Sequence, residues 1–170
     1  MKPGVWILGD DVNTDVIFPG KYTYTVSNPA EMARHALEDL EPSFAETVRQ
    51  GDIIAAGKNF GCGSSREQAA FALKYAGVSA IIAKSFARLF FRNAINAGLP
   101  AIEHPACVDA IRTDSSVALD LSRSIILVDG TEFSFAPFPE QVTAILKEGG
   151  LEQYVRKTLE ICVRPRFVLS

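Results

Sequence analysis

Between residues 52 and 103 three short apolar runs, DIIAAG, VSAIIA and LPAIE, alternate with two segments long enough for one helix each, and both segments close on a glycine, Gly77 and Gly98. Short continuous apolar runs suit strands covered on both faces. A glycine at the end of a helical segment supplies the left-handed residue that terminates it. The pattern predicts strands over 52–57, 78–83 and 99–103 and helices over 66–77 and 86–98, which is a parallel α/β layer. GVWIL at 4–8 reads as one more strand. Asn28-Pro29 opens a helical segment, AEMARHALEDL, with Met32, Ala36 and Leu40 on one face, and SFAETVRQ reads as a second short helix ending at Gly51. Downstream the period changes to two: SVALDL and SIILVDGTEFSF alternate around Asp129-Gly130, which predicts an antiparallel hairpin. The tail from Phe138 to Glu160 reads as one or two closing helices. The expected class is mixed α/β with antiparallel additions.

With 170 residues, 48% of them hydrophobic and 22% charged, the chain has material for one domain spanning 1–170. A net charge of -3 and no block of roughly five or more lysines and arginines argue against nucleic acid as a partner. No run approaches the roughly 18 apolar residues of a membrane span, and the N-terminal apolar run is broken by Asp10 and Asp11 before it could form a secretory signal. A cytoplasmic protein with no membrane partner is expected. Cys62, Cys107 and Cys162 are odd in number, far apart and free of any CxxC spacing. That suits a reducing compartment and predicts no metal site or iron–sulfur cluster held by this chain.

The stretch GKNFGCGSSREQ (57–68) concentrates the candidate chemistry. It lacks the GxxxxGK[ST] of a P-loop and the third glycine of GxGxxG, so a nucleotide site is not indicated. Two readings stand side by side. Ser64-Ser65-Arg66-Glu67 fits a capping box, in which the Ser64 hydroxyl accepts from the Glu67 amide. Equally, a glycine turn entering a helix, with Arg66 beside it, makes a carboxylate pocket in which a serine could act as a base. Cys62 at the same turn is a possible thiol nucleophile, but neither histidine, His35 or His104, is placed by the sequence to serve it. His35 reads as a surface or core-edge residue and His104 as a strand-end or loop residue. Asp10, Asp11 and Asp15 miss calcium-loop spacing and read as turn formers, Asp15 being distinguished by the apolar VIFPG that follows it. Lys84, Arg88 and Arg92 are spaced as a helical stripe, most simply a solvated face.

Taken together, NTDVIFPGKYT (13–23), AGKNFGCGSSREQA (56–69) and AKSFARLFFRNAINAGLP (83–100) resemble the small subunits of isopropylmalate isomerase, the aconitase-like hydro-lyases of leucine biosynthesis. The resemblance implies a three-layer β/β/α fold similar to the C-terminal swivelling domain of aconitase. It implies a heterodimer or heterotetramer with a large subunit that carries the [4Fe-4S] cluster, whose open iron serves as Lewis acid. The implied reaction is dehydration of 2-isopropylmalate and rehydration to 3-isopropylmalate. Carried over by position, it implies Ser64 as the base, Ser65 and Arg66 as holders of a substrate carboxylate, and Asp15 as an orienting or proton-relay residue. The specificity loop would be Tyr22-Thr23-Tyr24-Thr25. Relatives acting on tricarboxylic substrates such as homoaconitate carry an arginine there, which is missing here, so an apolar arm is favoured. The hydroxyls of that loop leave room for a methyl- or dimethylmalate. A reading of another class is a stand-alone anion-binding module.

Overall fold

A computed structural model describes residues 4–163, the side chains through 159. In chain order it contains β1 (Val5–Leu8), α1 (Thr14–Ile17), a 3₁₀ turn (Gly20–Tyr22), α2 (Pro29–Arg34), α3 (Phe44–Thr47), β2 (Ile53–Ala56), α4 (Gln68–Ala76), β3 (Ala80–Ala83) and α5 (Arg88–Ala97). It continues with β4 (Ala101–Glu103), α6 (Pro105–Ala110), β5 (Val117–Asp120), β6 (Ile125–Val128), β7 (Thr131–Ser134), α7 (Glu140–Lys147) and α8 (Leu151–Val163). The first four strands form a parallel sheet in the order β1-β2-β3-β4, and the last three an antiparallel sheet.

The apolar runs are continuous because the parallel sheet is covered twice. Ile54, Ala56, Ile81, Ala83 and Ala101 enter one core with α2, α4 and α5. Their neighbours Ile53, Ala55, Ile82 and Ile102 enter a second core shared with α6 and the antiparallel strands. Alternate residues of a strand point to opposite faces, so a run apolar at every position serves both. The result is three layers, helices over parallel sheet over antiparallel sheet. Asp129 and Gly130 join β6 to β7 with both φ values positive, 50° and 87°, as a two-residue hairpin turn requires.

Where the elements depart from sequence periodicity, a tertiary contact explains it. The helix expected over 30–40 stops at Arg34. The Leu37 amide donates to the Ile17 carbonyl (2.8 Å) and Leu37 takes a φ of 56°, so the chain leaves helical geometry and Leu40 ends 40% exposed. Likewise SFAETVRQ is helical only over Phe44–Thr47. Lys84 precedes α5 and pairs with Asp109 (2.6 Å) on the segment beyond β4, so the expected stripe with Arg88 and Arg92 does not form on one helix.

Gly61 shows what the glycine turn needs. Its φ is +77°, and a Cβ there would lie 2.0 Å from the Phe90 ring, which packs edge-on against Phe60 at 5.2 Å. Gly61→Ala therefore incurs left-handed strain and overpacking together, and is expected to lower stability by about 2–4 kcal/mol. Urea denaturation of the chain measures it; a loss below about 1 kcal/mol would show that the turn relaxes freely.

Candidate active site

The site lies beyond the carboxyl ends of β1 and β2, which pair in parallel from Val5↔Ile53 to Leu8↔Ala56. Ligands of open α/β sheets bind outside the carboxyl ends of strands, where loops from neighbouring strands meet. Here the loop after β1 and the glycine turn after β2 continue to pair. The Asp11 amide donates to the Lys58 carbonyl (2.8 Å), Gly61 to Val12 (2.7 Å) and Thr14 to Cys62 (2.7 Å). Asn13 then caps α1, its side-chain oxygen accepting from the Asp15 amide at 2.6 Å and Val16 at 3.3 Å. That cap holds Thr14 and Asp15 against the turn.

Thr14 is 1% exposed, and its hydroxyl meets Ser64 three times. It accepts from the Ser64 amide (2.9 Å), lies 3.1 Å from the Ser64 hydroxyl and 3.3 Å from the Ser64 carbonyl. The capping box does not form: α4 begins at Gln68, and its cap residue Glu67 has helical φ and ψ with no side-chain cap bond. Ser64 is held instead by a residue fifty positions earlier and by Arg66, whose Nε donates to Ser64 Oγ at 2.7 Å.

Arg66 is the hub. Besides Ser64 it donates from Nη1 to Thr23 Oγ1 (2.7 Å) and pairs through Nη2 with Asp15. A guanidinium has five N–H donors, so with one used on each nitrogen one remains on each Nη for a ligand. Its side chain is 24% exposed. A cation at 2.7 Å from a hydroxyl oxygen favours the ionised form of that hydroxyl.

The structure thus brings Asp15, Thr23, Ser64 and Arg66 into one contact network. Ser65 sits beside it, exposed, with its carbonyl accepting from Asn93 Nδ2 at 3.0 Å. Tyr22 turns the other way, its hydroxyl donating to Glu38 at 3.4 Å. Tyr24 projects into solvent, 97% exposed. Thr14, Asn13 and Asn93 escaped sequence reasoning. Nothing local shows that the threonine of the Asn-Thr-Asp run reaches Ser64.

The remaining candidates take structural places. His35 caps the C-terminal end of α2, and His104 caps α6, its Nδ1 accepting from the Cys107 amide at 3.1 Å. Asp10 and Asp11 hold the glycine turn through the Lys58 amide and the Asn59 side chain. Cys62 lies on the glycine turn and Cys107 in the second core, while the side chain of Cys162 lies outside the described residues. Among the described residues no group of three or more His, Cys, Asp or Glu is placed to hold a metal ion. Burial pushes the Cys107 thiol up to about 11. Iodoacetamide at pH 8 is expected to label Cys62 at least about tenfold faster than Cys107, as read by peptide mass mapping; equal rates would contradict the buried placement.

The geometry defines a class: a hydroxyl base candidate on a glycine turn, polarised by an arginine, on the covered parallel sheet of a β/β/α fold. The sequence model of the aconitase C-terminal domain matches residues 12–106, and the chain belongs to that family. Within it, the chain is 51% identical to the 3-isopropylmalate dehydratase small subunit of Aquifex aeolicus, over 91% of this chain and 94% of that one. It is 53% identical to the methanogen homoaconitase small subunit of Methanothermobacter thermautotrophicus, over 92% and 91%. A crystal structure of 3-isopropylmalate dehydratase from Methanocaldococcus jannaschii superposes with a TM-score of 0.86 at 42% identity, covering 95% and 96% of the two chains.

Proposed function

We propose that the chain, as a single domain over 1–170, is the small subunit of a hydro-lyase that interconverts 2- and 3-isopropylmalate, and that Ser64 moves the carbon-bound proton. The observation that carries this reading is the 2.7 Å contact from Arg66 Nε to Ser64 Oγ, at a turn of a chain 51% identical to a 3-isopropylmalate dehydratase small subunit. Dehydration of a malate removes a proton from carbon and a hydroxyl from its neighbour. As alkoxide, Ser64 takes that proton and becomes a neutral hydroxyl; in rehydration it returns the proton to carbon. Arg66 and the Thr14 hydroxyl stabilise the alkoxide by hydrogen bonds aimed at the oxygen that carries the charge.

The two N–H groups left on Arg66, with the exposed Ser65 hydroxyl, hold a substrate carboxylate. Asp15 fixes the plane of the guanidinium. Thr23, bonded to Arg66, faces the substrate's arm, Tyr24 extends from the same loop into solvent, and Tyr22 contributes from behind by holding the loop. The [4Fe-4S] cluster, which supplies Lewis acidity to the hydroxyl that leaves, belongs on this reading to a large subunit, in a cytoplasmic heterodimer or heterotetramer.

A homoaconitase is the second reading, favoured by the 53% identical methanogen relative. Against it stands Tyr22-Thr23-Tyr24-Thr25, which offers no cation to a third carboxylate. An unpaired buried carboxylate costs about 1–3 kcal/mol, roughly fivefold to 150-fold in kcat/KM. Co-expression with the cognate large subunit, followed by assays on 2-isopropylmalate, homoaconitate and methylated malates, is expected to rank isopropylmalate first by that factor. Preference for homoaconitate would replace the proposal. Turnover by the isolated chain would refute its dependence on a partner.

A further inference from the structure

We propose that Glu38 is a positioning residue: together with His35 it clamps the Gly20–Tyr22 turn and so presents Thr23 to Arg66. This rests on the role given above to Arg66 and Ser64.

Glu38 lies in the turn after α2, a platform tied by the Leu37-to-Ile17 backbone bond to the segment just before the loop. Its Oε1 accepts from Lys21 Nζ at 2.8 Å. Its Oε2 lies 2.6 Å from His35 Nδ1 and accepts from the Tyr22 hydroxyl at 3.4 Å. The Tyr22 ring stacks on the His35 imidazole with centroids 3.7 Å apart, and Lys21 Nζ lies 4.8 Å over the Tyr22 ring. Burial opposes ionisation of Glu38, but hydrogen bonds from Lys21, His35 and Tyr22 outweigh it and hold the carboxyl below its ordinary value. One carboxylate thus gathers both side chains of the turn.

Consecutive residues of that turn face opposite ways. Tyr22 goes to the clamp, and Thr23 accepts from Arg66 Nη1 at 2.7 Å. The turn is short and internally bonded, Tyr22 amide to Pro19 carbonyl and Thr23 amide to Gly20 carbonyl, so it moves as a unit. It also lies directly on the guanidinium, since a Cβ at Gly20 would be 2.7 Å from Arg66 Nη1. A shift of the turn withdraws Thr23 from Nη1 on the carboxylate-binding edge of the arginine, while the Nε contact to Ser64 and the Nη2 contact to Asp15 stay in place. Nothing in this chain touches the reacting atoms through Glu38; its influence passes through Thr23.

The test uses Glu38→Ala, Glu38→Gln, Thr23→Val and the Glu38→Ala/Thr23→Val double variant. In the full chain, Glu38→Ala is expected to raise the rate of chymotryptic cleavage after Tyr22 and Tyr24 by at least about fivefold, with cleavage elsewhere unchanged and Tm lowered by no more than about 5 °C. In the complex with the large subunit, KM for 2-isopropylmalate rises about tenfold while kcat stays within about threefold. Added to Thr23→Val, the same change costs less than about twofold, because both act on one contact. Glu38→Gln, which keeps the shape of the acceptor, falls between, and it carries the comparison if the alanine variant does not fold. Unchanged loop cleavage overturns the clamp. Full additivity with Thr23→Val overturns its route to Arg66. If the wild-type complex does not turn over isopropylmalate, the functional reading fails while the cleavage comparison still decides on the clamp.

Discussion

Ser64→Ala is expected to lower kcat of the reconstituted complex by about 10³-fold or more, leaving the fold and the docking on the large subunit intact. Proton transfer by a positioned side chain contributes roughly 10²–10⁴-fold. No neighbour can replace the hydroxyl: Thr14 is 1% exposed and already bonded to the Ser64 amide. The structural cost is small, because the bond from the Ser64 amide to Thr14 survives the change and Ser64 does not cap α4. Steady-state assays with 2-isopropylmalate and circular dichroism of the variant chain check both halves. Activity within tenfold of wild type would remove Ser64 from the proton transfer. A collapsed far-ultraviolet spectrum would show that its hydroxyl is needed for folding instead.

Arg66→Lys is expected to cost about 10²–10³-fold in kcat/KM although the charge is kept. The guanidinium reaches Ser64 through Nε, Thr23 through Nη1 and Asp15 through Nη2, three directions from one rigid plane. A lysine ammonium is a compact point charge on a flexible stem and cannot span all three partners. Misplacement of a catalytic group by about 1 Å costs on the order of 10²-fold, and loss of carboxylate contacts adds to it. Both KM and kcat are expected to suffer, since on the proposed function the same side chain binds substrate and stabilises the alkoxide. A rise in KM alone would assign Arg66 to binding only. The Glu38 clamp predicts the contrasting pattern, KM without kcat, so the two variants separate the arginine's chemistry from its positioning.

Much of the frame was legible in the chain. The runs DIIAAG, VSAIIA and LPAIE became β2, β3 and β4 because an element apolar at every position has to be covered on both faces, and a parallel sheet between two layers is what covers it. Gly77 and Gly98 end α4 and α5 with φ values of 111° and 78°, as a local rule predicts, since left-handed geometry is a property of the residue itself. The helix over 30–40 is shorter than its periodicity predicts because its end is set by the Leu37-to-Ile17 bond, between segments the local pattern does not relate.

The stretch GKNFGCGSSREQ divides the same way. Its composition determined that a polar, glycine-rich turn would stand before a helix, and the wider resemblance pointed to Ser64, Arg66 and Asp15. Arg66 stands only two residues from Ser64, so their contact is local, but whether Ser64 would cap the helix or turn toward Thr14 was not, because capping competes with any partner the fold brings near. Tertiary structure decided it by pairing β1 with β2. That brings the loops at their carboxyl ends together and delivers Thr14 to Ser64, Asp15 and Thr23 to Arg66. Periodicity and turn chemistry act over a few residues and are written in the chain; a hydrogen bond between residues fifty positions apart exists only once a sheet has set their distance.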